Sequence, residues 1–482
     1  MSSPRPGAPA VPTAHPRTIL AVILLAGLSF ALSQTMIVPA LPRLTDELDT
    51  TRSATAWLLT AYLLSASVCT PLVGKLGDLY GKGRTLTIVL LLFSLGSVIC
   101  ALAPSVEVMI AGRVVQGVAG GVFPLSFGII RDTFPPDRVA GAIGLQSAVF
   151  GIGGGIGLPL AGVIVDHTSP AVIFWIGLIA LPAALAAYRL VPPSPPVRST
   201  RVDWPGALLL SVGLATILLA LSQASSWGWG DPATLGLLLA GVVVIVVWVR
   251  VEQTRTDPLI DIAVLRRREV AATNATGFLA GFAMFSSFLL IPQFAQAAES
   301  TGYGFGMSVT ESGLLMLPSS VMMLIAGPLA GRWGARFGFR ATLVTGTASS
   351  ALSFGFLALE HGDPWHFIVS GALLGVGLSF TFASMANLIV AAVPRSDVGI
   401  ATGINTVTRT VGGAFGSGAV TAIITASTIG DTSIPSGDAY TTAFVLAAGV
   451  GIGAMVMATF VPRPGRPTDD GAVPVGSAVA RA

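Results

Sequence analysis

One stretch, "PLVGKLGDLYGKGR" from Pro71 to Arg84, gathers ionisable side chains at short, regular intervals. Lys75, Asp78, Lys82 and Arg84 alternate there with Gly74, Gly77, Gly81 and Gly83, although only 10% of the 482 residues are charged. Two kinds of chemistry suit such a stretch. Cations beside a glycine turn anchor it at the cytoplasmic surface of a membrane, and the glycines tolerate the positive φ that a tight reversal needs. A single carboxylate can also meet the positive N-terminal end of a helix elsewhere in the fold. Topology alone accounts for the cations. It does not account for Asp78, which is expected to latch one side of the molecule shut; a solvated loop charge is the plainer alternative.

Arg113 and Arg409 lie within long apolar runs. A cation at the centre of a bilayer costs ~2.5–3.5 kcal/mol even on lenient insertion scales, so each should face a cavity or a partner. Gln34, Gln116, Gln146, Asn274, Gln293, Asn387 and Asn405 are expected to line the same cavity in part, with interhelical hydrogen bonds as the alternative for each. No phosphate-binding loop and no metal-spaced His/Cys set is present, and the four histidines are scattered at 15, 167, 361 and 366. No enzyme, no cofactor and no metal site is expected. Cys69 and Cys100 read as small apolar packing residues.

The elements that must position these residues follow from composition. The hydrophobic fraction is 53% and the mean hydropathy +0.80, with charge-free runs such as "TLTIVLLLFSLGSVICAL". Such runs must satisfy their backbones internally, and at about 20 residues they do so as helices. The fold class is an all-α integral membrane protein. Fourteen spans are expected at roughly 18–40, 55–74, 85–103, 106–130, 139–165, 170–190, 204–223, 233–250, 270–296, 311–331, 341–359, 366–390, 398–424 and 441–461. The first span is too long for a signal peptide and lacks a convincing cleavage site. With both termini cytoplasmic, 22 of the 26 Lys and Arg residues fall inside, leaving Arg43 and Arg52 outside and Arg113 and Arg409 within spans. The net charge of +3 therefore reports topology and not nucleic-acid binding. Arginine outnumbers lysine 24 to 2, which points to a high-GC bacterial genome and so to a multi-pass protein of the bacterial cell (inner) membrane.

The loop stretch has an echo. "PLAGRWGARFGFR" begins 257 residues later, so Pro71, Gly74, Gly77 and Gly81 correspond to Pro328, Gly331, Gly334 and Gly338, while Asp78 corresponds to Ala335. "VAGAIGLQSAVFGIGGGIG" from Val139 likewise aligns with "VGIATGINTVTRTVGGAFGSG" from Val398 at an offset of 259. The chain is thus a duplicated six-span unit. The offset crosses eight helices, so the copies are parallel, as in a two-lobed transporter with its site between the lobes. The expected segments are a disordered tail 1–17, a six-helix bundle 18–190, a cytoplasmic linker 191–203, a two-helix insert 204–250, a cytoplasmic loop 251–269, a second bundle 270–461 and a disordered tail 462–482. This is a 6+2+6 arrangement.

From about residue 18 to 461 these residues resemble the major facilitator superfamily, and within it the fourteen-span drug:proton antiporters of multidrug-efflux type. Gly74, Asp78, Gly81 and Arg84 look like its gating loop between spans two and three. "RVVQGVAGG" resembles the fourth-span motif, whose arginine, here Arg113, faces the central cavity. "GGGIGLPLAG" resembles the antiporter motif of span five at Gly154, Pro159 and Gly162, and departs from it at Leu158 and Val163, where the family usually has glycine. Close helix packing is the alternative reading of that small-residue run. In place of the family's first-span aspartate stands Ser33, in "ALSQTMIVPALP". Proton coupling normally needs a buried carboxylate. The nearest candidates here are Glu311, Asp78 and His366.

The resemblance implies a secondary active transporter that exports amphipathic small molecules (drugs, dyes, antibiotics) by alternating access in exchange for protons. Its partners would be that small-molecule cargo, protons and the lipid bilayer, with no obligate protein partner. The alternatives are a differently coupled or facilitative transporter of a specific metabolite, and a non-transporting membrane receptor with the same fold.

Overall fold

The computed structural model describes residues 15–193, 203–255, 258–394, 397–429 and 434–462. The expected tails, for residues 1–14 and 463–482, and residues 194–202 of the linker lie outside the described residues. Among the described residues there is no strand, only one isolated bridge between Thr428 and Pro435. The long helices are α1 (Pro16–Thr35), α2 (Arg52–Tyr80), α3 (Lys82–Ala101), α4 (Val106–Thr133), α5 (Pro136–His167), α6 (Val172–Leu190) and α7 (Trp204–Trp227). They continue as α8 (Pro232–Thr254), α9 (Arg268–Gln296), α10 (Val309–Phe337), α11 (Phe339–Leu359), α12 (Pro364–Ala392), α13 (Val398–Ala426) and α14 (Gly437–Thr459).

Thirteen of these helices are long and apolar enough to cross a membrane. The exception is α13, whose 29 residues include Asn405, Arg409 and several threonines. Polar residues also set where helices start. Thr51, Asp203, Asp231 and Ser436 each accept a backbone N–H from the first turn of α2, α7, α8 and α14.

Several boundaries differ from expectation: α10, expected to end at 331, runs on to Phe337, and two others bear on the site. The span expected at 18–40 stops at Thr35, and a separate short helix, Ile37–Glu47, follows. Pro39 explains the break, because it has no N–H to bond the Thr35 carbonyl. The loop expected after residue 74 is in fact helix. α2 runs on to Tyr80, so Gly74 and Asp78 sit on its last two turns, and Arg84 lies exposed in the first turn of α3. Gly81 alone makes the reversal, at φ 99°, and its counterpart Gly338 does the same at φ 90°.

Packing repeats between the copies. α1 packs on α5, α2 and α3 on α4, and α3 on α6; in the same way α9 packs on α13, α10 and α11 on α12, and α11 on α14. The copies meet along two equivalent seams, α2 against α13 and α10 against α5. α7 and α8 form a hairpin whose α7 touches α2 and α13, so the hairpin covers one seam only.

Missing side chains allow these contacts. A Cβ on Gly74 would stand 2.5 Å from the Gly399 carbonyl oxygen, and one on the equivalent Gly331 would stand 2.6 Å from the Ala140 carbonyl oxygen. Inside the second copy, a Cβ on Gly412 would lie 1.9 Å from the Phe278 oxygen and one on Gly281 would lie 2.0 Å from the Arg409 oxygen. Because the obstacle is backbone, α9 and α13 must separate to admit a methyl group. Gly281→Ala and Gly412→Ala should each destabilise the protein by about 1–3 kcal/mol. Gly355→Ala, where a Cβ would meet nothing within 4 Å, should be neutral or slightly stabilising. Melting temperatures of the three variants in detergent check this, and equal melting of all three would refute it.

Candidate functional site

At the end of the bundle that carries Gly81, charge joins the copies. Asp397 is the N-cap residue of α13, but its side chain makes no capping bond. Asp78 of α2 supplies one instead, its Oδ2 accepting from the Gly399 N–H at 3.1 Å. The contact is buried, and a carboxylate at a helix N-terminus is favoured by the helix dipole. Lys82 Nζ lies 3.5 Å from Asp78 and 2.8 Å from Asp132, so one buried cation ties the ends of α2 and α4 together. Arg131, in the last turn of α4, donates to the Val393 carbonyl at 3.1 Å. An anion therefore meets the start of α13 and a cation meets the end of α12, each with the sign the dipole favours.

Arg113 is fully buried within the first copy. Its Nε donates to the Leu58 carbonyl at 3.0 Å, and its Nη1 donates to Gln116 Oε1 at 2.8 Å and Ser33 Oγ at 3.1 Å. The Tyr62 ring lies 4.1 Å from Cζ. Nη2 has no partner, and no carboxylate pairs with this guanidinium among the described residues. Gln116 also donates to Ser97 Oγ at 2.8 Å, so it braces Arg113 inside the bundle.

Towards the other end lies a cavity of about 320 Å³ between α1, α2, α5, α7, α9 and α13. Its wall is mostly apolar: Leu59 and Leu63 face Leu221, Phe285, Phe288 and Leu289, with Gln34, Thr60, Ser222 and Thr410 as polar points. Among the described residues no Asp or Glu lines it. Thr60 and Ser222 hydroxyls hydrogen-bond at 2.8 Å, fixing α7 to α2 at the cavity edge. Volume and apolar lining both suit a drug-sized ligand.

Deeper, beyond Phe150, is a space of about 10 Å³, no larger than one water. Arg409 lies there with its Cζ 4.6 Å from the Phe150 ring and 4.5 Å from Phe382. Asn405 lines the same space and donates to Asn274 Oδ1 at 3.0 Å.

The remaining polar residues are placed elsewhere. Gln34 reaches the large cavity, whereas Gln293 is exposed on α9 and Asn387 donates to the Ala383 carbonyl of its own helix. Gln146 is buried with both amide atoms unpartnered, its Nε2 against Gly27. Neither Glu311 nor His366 reaches either cavity. Glu311 is exposed in a capping box with Ser308, and the His366 ring accepts from the Asp363 N–H at 3.0 Å. Asp78 is at the opposite, closed end.

The small-residue run on α5 has two working faces. Gly153 and Gly157 lie against Ala31 and Thr35 of α1, while Gly151 and Gly155 lie against Met323 and Ser320 of α10. Gly154 belongs to the same helix, and Pro159 and Gly162 continue the α10 contact at Gly313 and Thr310. Sequence reading missed Phe150 and the α7 wall of the cavity. The repeat carried a signal for the first, since Phe150 and Arg409 are aligned at the 259 offset.

Comparison with known proteins now bears on this arrangement. The family model described as Major Facilitator Superfamily matches residues 23–304 and 273–481. The Tetracenomycin C resistance and export protein of Streptomyces glaucescens is 30% identical over 419 residues, covering 86% of this chain and 76% of that protein. Multidrug transporter protein MdtP of Bacillus subtilis is 27% identical, covering 83% and 74% of the two chains. Multidrug resistance protein Stp of Mycobacterium tuberculosis is 29% identical, covering 85% and 76%. The crystal structure of the human organic anion transporter MFSD10 (TETRAN) superposes with a TM-score of 0.63 over 92% of this chain and 99% of that one, at 16% identity, a likeness of fold. Duplicated helical bundles, the family match and these relatives together place this multi-pass membrane protein in the Major Facilitator Superfamily.

Proposed function

We propose that this protein exports amphipathic small molecules, drugs, dyes and antibiotics among them, from a bacterial cytoplasm across the inner membrane. In this reading fourteen spans are arranged 6+2+6 with both termini cytoplasmic, and the six-helix bundles 18–190 and 270–461 rock about the site between them. The apolar cavity of about 320 Å³, walled by both copies and set away from the joined Asp78 end, carries the proposal. The export and multidrug relatives support drugs as its cargo. Asp78 is the latch of the cytoplasmic side, and Arg113 orders the wall of the path.

Proton exchange is the coupling that the family resemblance implies, with Asp78, Glu311 or His366 as the carrier. A second reading, export without proton exchange, is favoured by one observation. Ser33 bonds Arg113 where the family resemblance would supply a carboxylate, and among the described residues no acid lines the cavity.

The test of export is accumulation of dyes, quaternary ammonium compounds and antibiotics in an efflux-deficient bacterial host with and without the protein. Expression should lower accumulation of at least one class, and unchanged accumulation across all of them would refute export. Asp78→Asn keeps an acceptor for the Gly399 N–H but loses the charge. Efflux should fall about tenfold, the equivalent of ~1.4 kcal/mol at a buried helix terminus, with abundance near normal. Full efflux by a well-expressed variant would remove the latch from the mechanism. For coupling, Ser33→Asp sets a carboxylate about one hydrogen bond from Arg113 and should create or strengthen sensitivity to a protonophore. If wild-type efflux already collapses with the proton gradient, and a variant of Asp78, Glu311 or His366 abolishes that dependence, exchange with protons is the coupling.

A further inference from the structure

Arg409 is only 7% exposed, yet it makes no hydrogen bond and no ion pair among the described residues. Among the described residues two aromatic faces hold it. One, Phe150, comes from the first copy and the other, Phe382, from the second, so the guanidinium sits where the copies meet. The duplication explains the encounter. Residues 150 and 409 are equivalent in the repeat, and equivalent positions near a pseudo-two-fold axis face each other.

The surroundings give this cation nothing to neutralise it. Ser147, Thr402 and Thr406 line the same small space, but their hydroxyls donate to the carbonyls of Ile143, Val398 and Thr402 on their own helices. Among the described residues no Asp or Glu lines this space or the cavity beside it. Phe150 borders both, so one phenyl ring separates the guanidinium from a drug-sized apolar chamber. A desolvated guanidinium held between aromatic faces is a ready partner for a planar oxyanion, which it can bind through two parallel N–H donors.

Resting on the export reading above, we propose that Arg409 is an anion-binding subsite and that the cargo is an amphipathic aromatic acid. The carboxylate or phenolate of the cargo pairs with Arg409 once Phe150 swings aside, while its rings occupy the apolar cavity. Cationic amphiphiles are disfavoured, since the site offers them a like charge and no acid. An anion leaving a negative-inside compartment moves down the electrical gradient, so such cargo needs no exchanged proton.

The test uses two dyes with a common xanthene core, anionic fluorescein and cationic rhodamine 123, and the full chain in proteoliposomes. Flux is read with an imposed potassium-diffusion potential, and binding by fluorescence polarisation. Wild type should carry fluorescein at least about tenfold faster than rhodamine 123, and reversing the potential should reverse net fluorescein movement. Arg409→Ala should cut the ratio of the two fluxes about tenfold, and Arg409→Lys should restore part of it. Melting temperature separates folding from recognition: losing a buried, unpaired cation should leave stability equal or higher. Rhodamine 123 carried as fast as fluorescein, or a flux ratio unmoved by Arg409→Ala, overturns the anion site and leaves export standing. Fluorescein binding that Arg409→Ala abolishes, without flux of either dye, upholds the site and refutes export.

Discussion

Everything in this molecule depends on how closely the two copies can approach. At Gly74 and Gly399, and again at Gly331 and Ala140, backbone lies against backbone with no room for a Cβ. In a bilayer there is no hydrophobic drive to press helices together, so packing of this kind carries the association. The approach also sets the electrostatics. Asp78 can cap α13 only because α2 and α13 touch one turn away, and the capping bond would vanish with an extra ångström or two of separation.

Much of this was legible in the sequence because duplication leaves a strong imprint. The repeat of Gly74, Gly81 and their partners revealed two parallel copies, and the absence of an acid at Ala335 singled out Asp78 before its helix partner was visible. The helical reading of the spans followed from hydropathy alone. Other features were hidden for physical reasons. Gly74 and Asp78 looked like loop residues because a glycine-rich helix end and a turn share a composition, and only the sign of φ at Gly81 and Gly338 separates them. Polar residues in apolar runs say that a partner exists but not which. Gln34 found a cavity, Asn387 its own helix, and Gln116 an arginine.

Buried charge is the second constraint. Arg113 is removed from water inside its own bundle and Arg409 where the copies meet, at a cost that hydrogen bonds offset for one and aromatic rings for the other. The difference is instructive. Arg113 is held by Leu58, Ser33 and Gln116 with one nitrogen to spare, and in the proposed cycle it orders its own bundle. Arg409 is restrained by interactions that impose little direction, and so keeps its donors for another molecule.

The two seams are equivalent in origin but not in construction. Along α5 and α10 the small-residue contacts run from Ala140 and Gly331 through Gly151 and Gly155 to Gly162. Between α2 and α13 backbone lies against backbone at Gly74, Gly399 and Gly403, near Asp78; further along, Thr60 bonds Ser222 of α7, and Trp229, in the turn after α7, lies against Gly418. A seam with close small-residue contacts along its length resists opening at either end, whereas one that carries a charge and a capping bond at one end can be released there. In the proposed cycle the first would serve as the hinge and the second as the door, with the inserted hairpin as its frame. In that cycle the acid is needed only once. A latch is useful on the seam that opens, and at the equivalent place on the hinge Ala335 suffices.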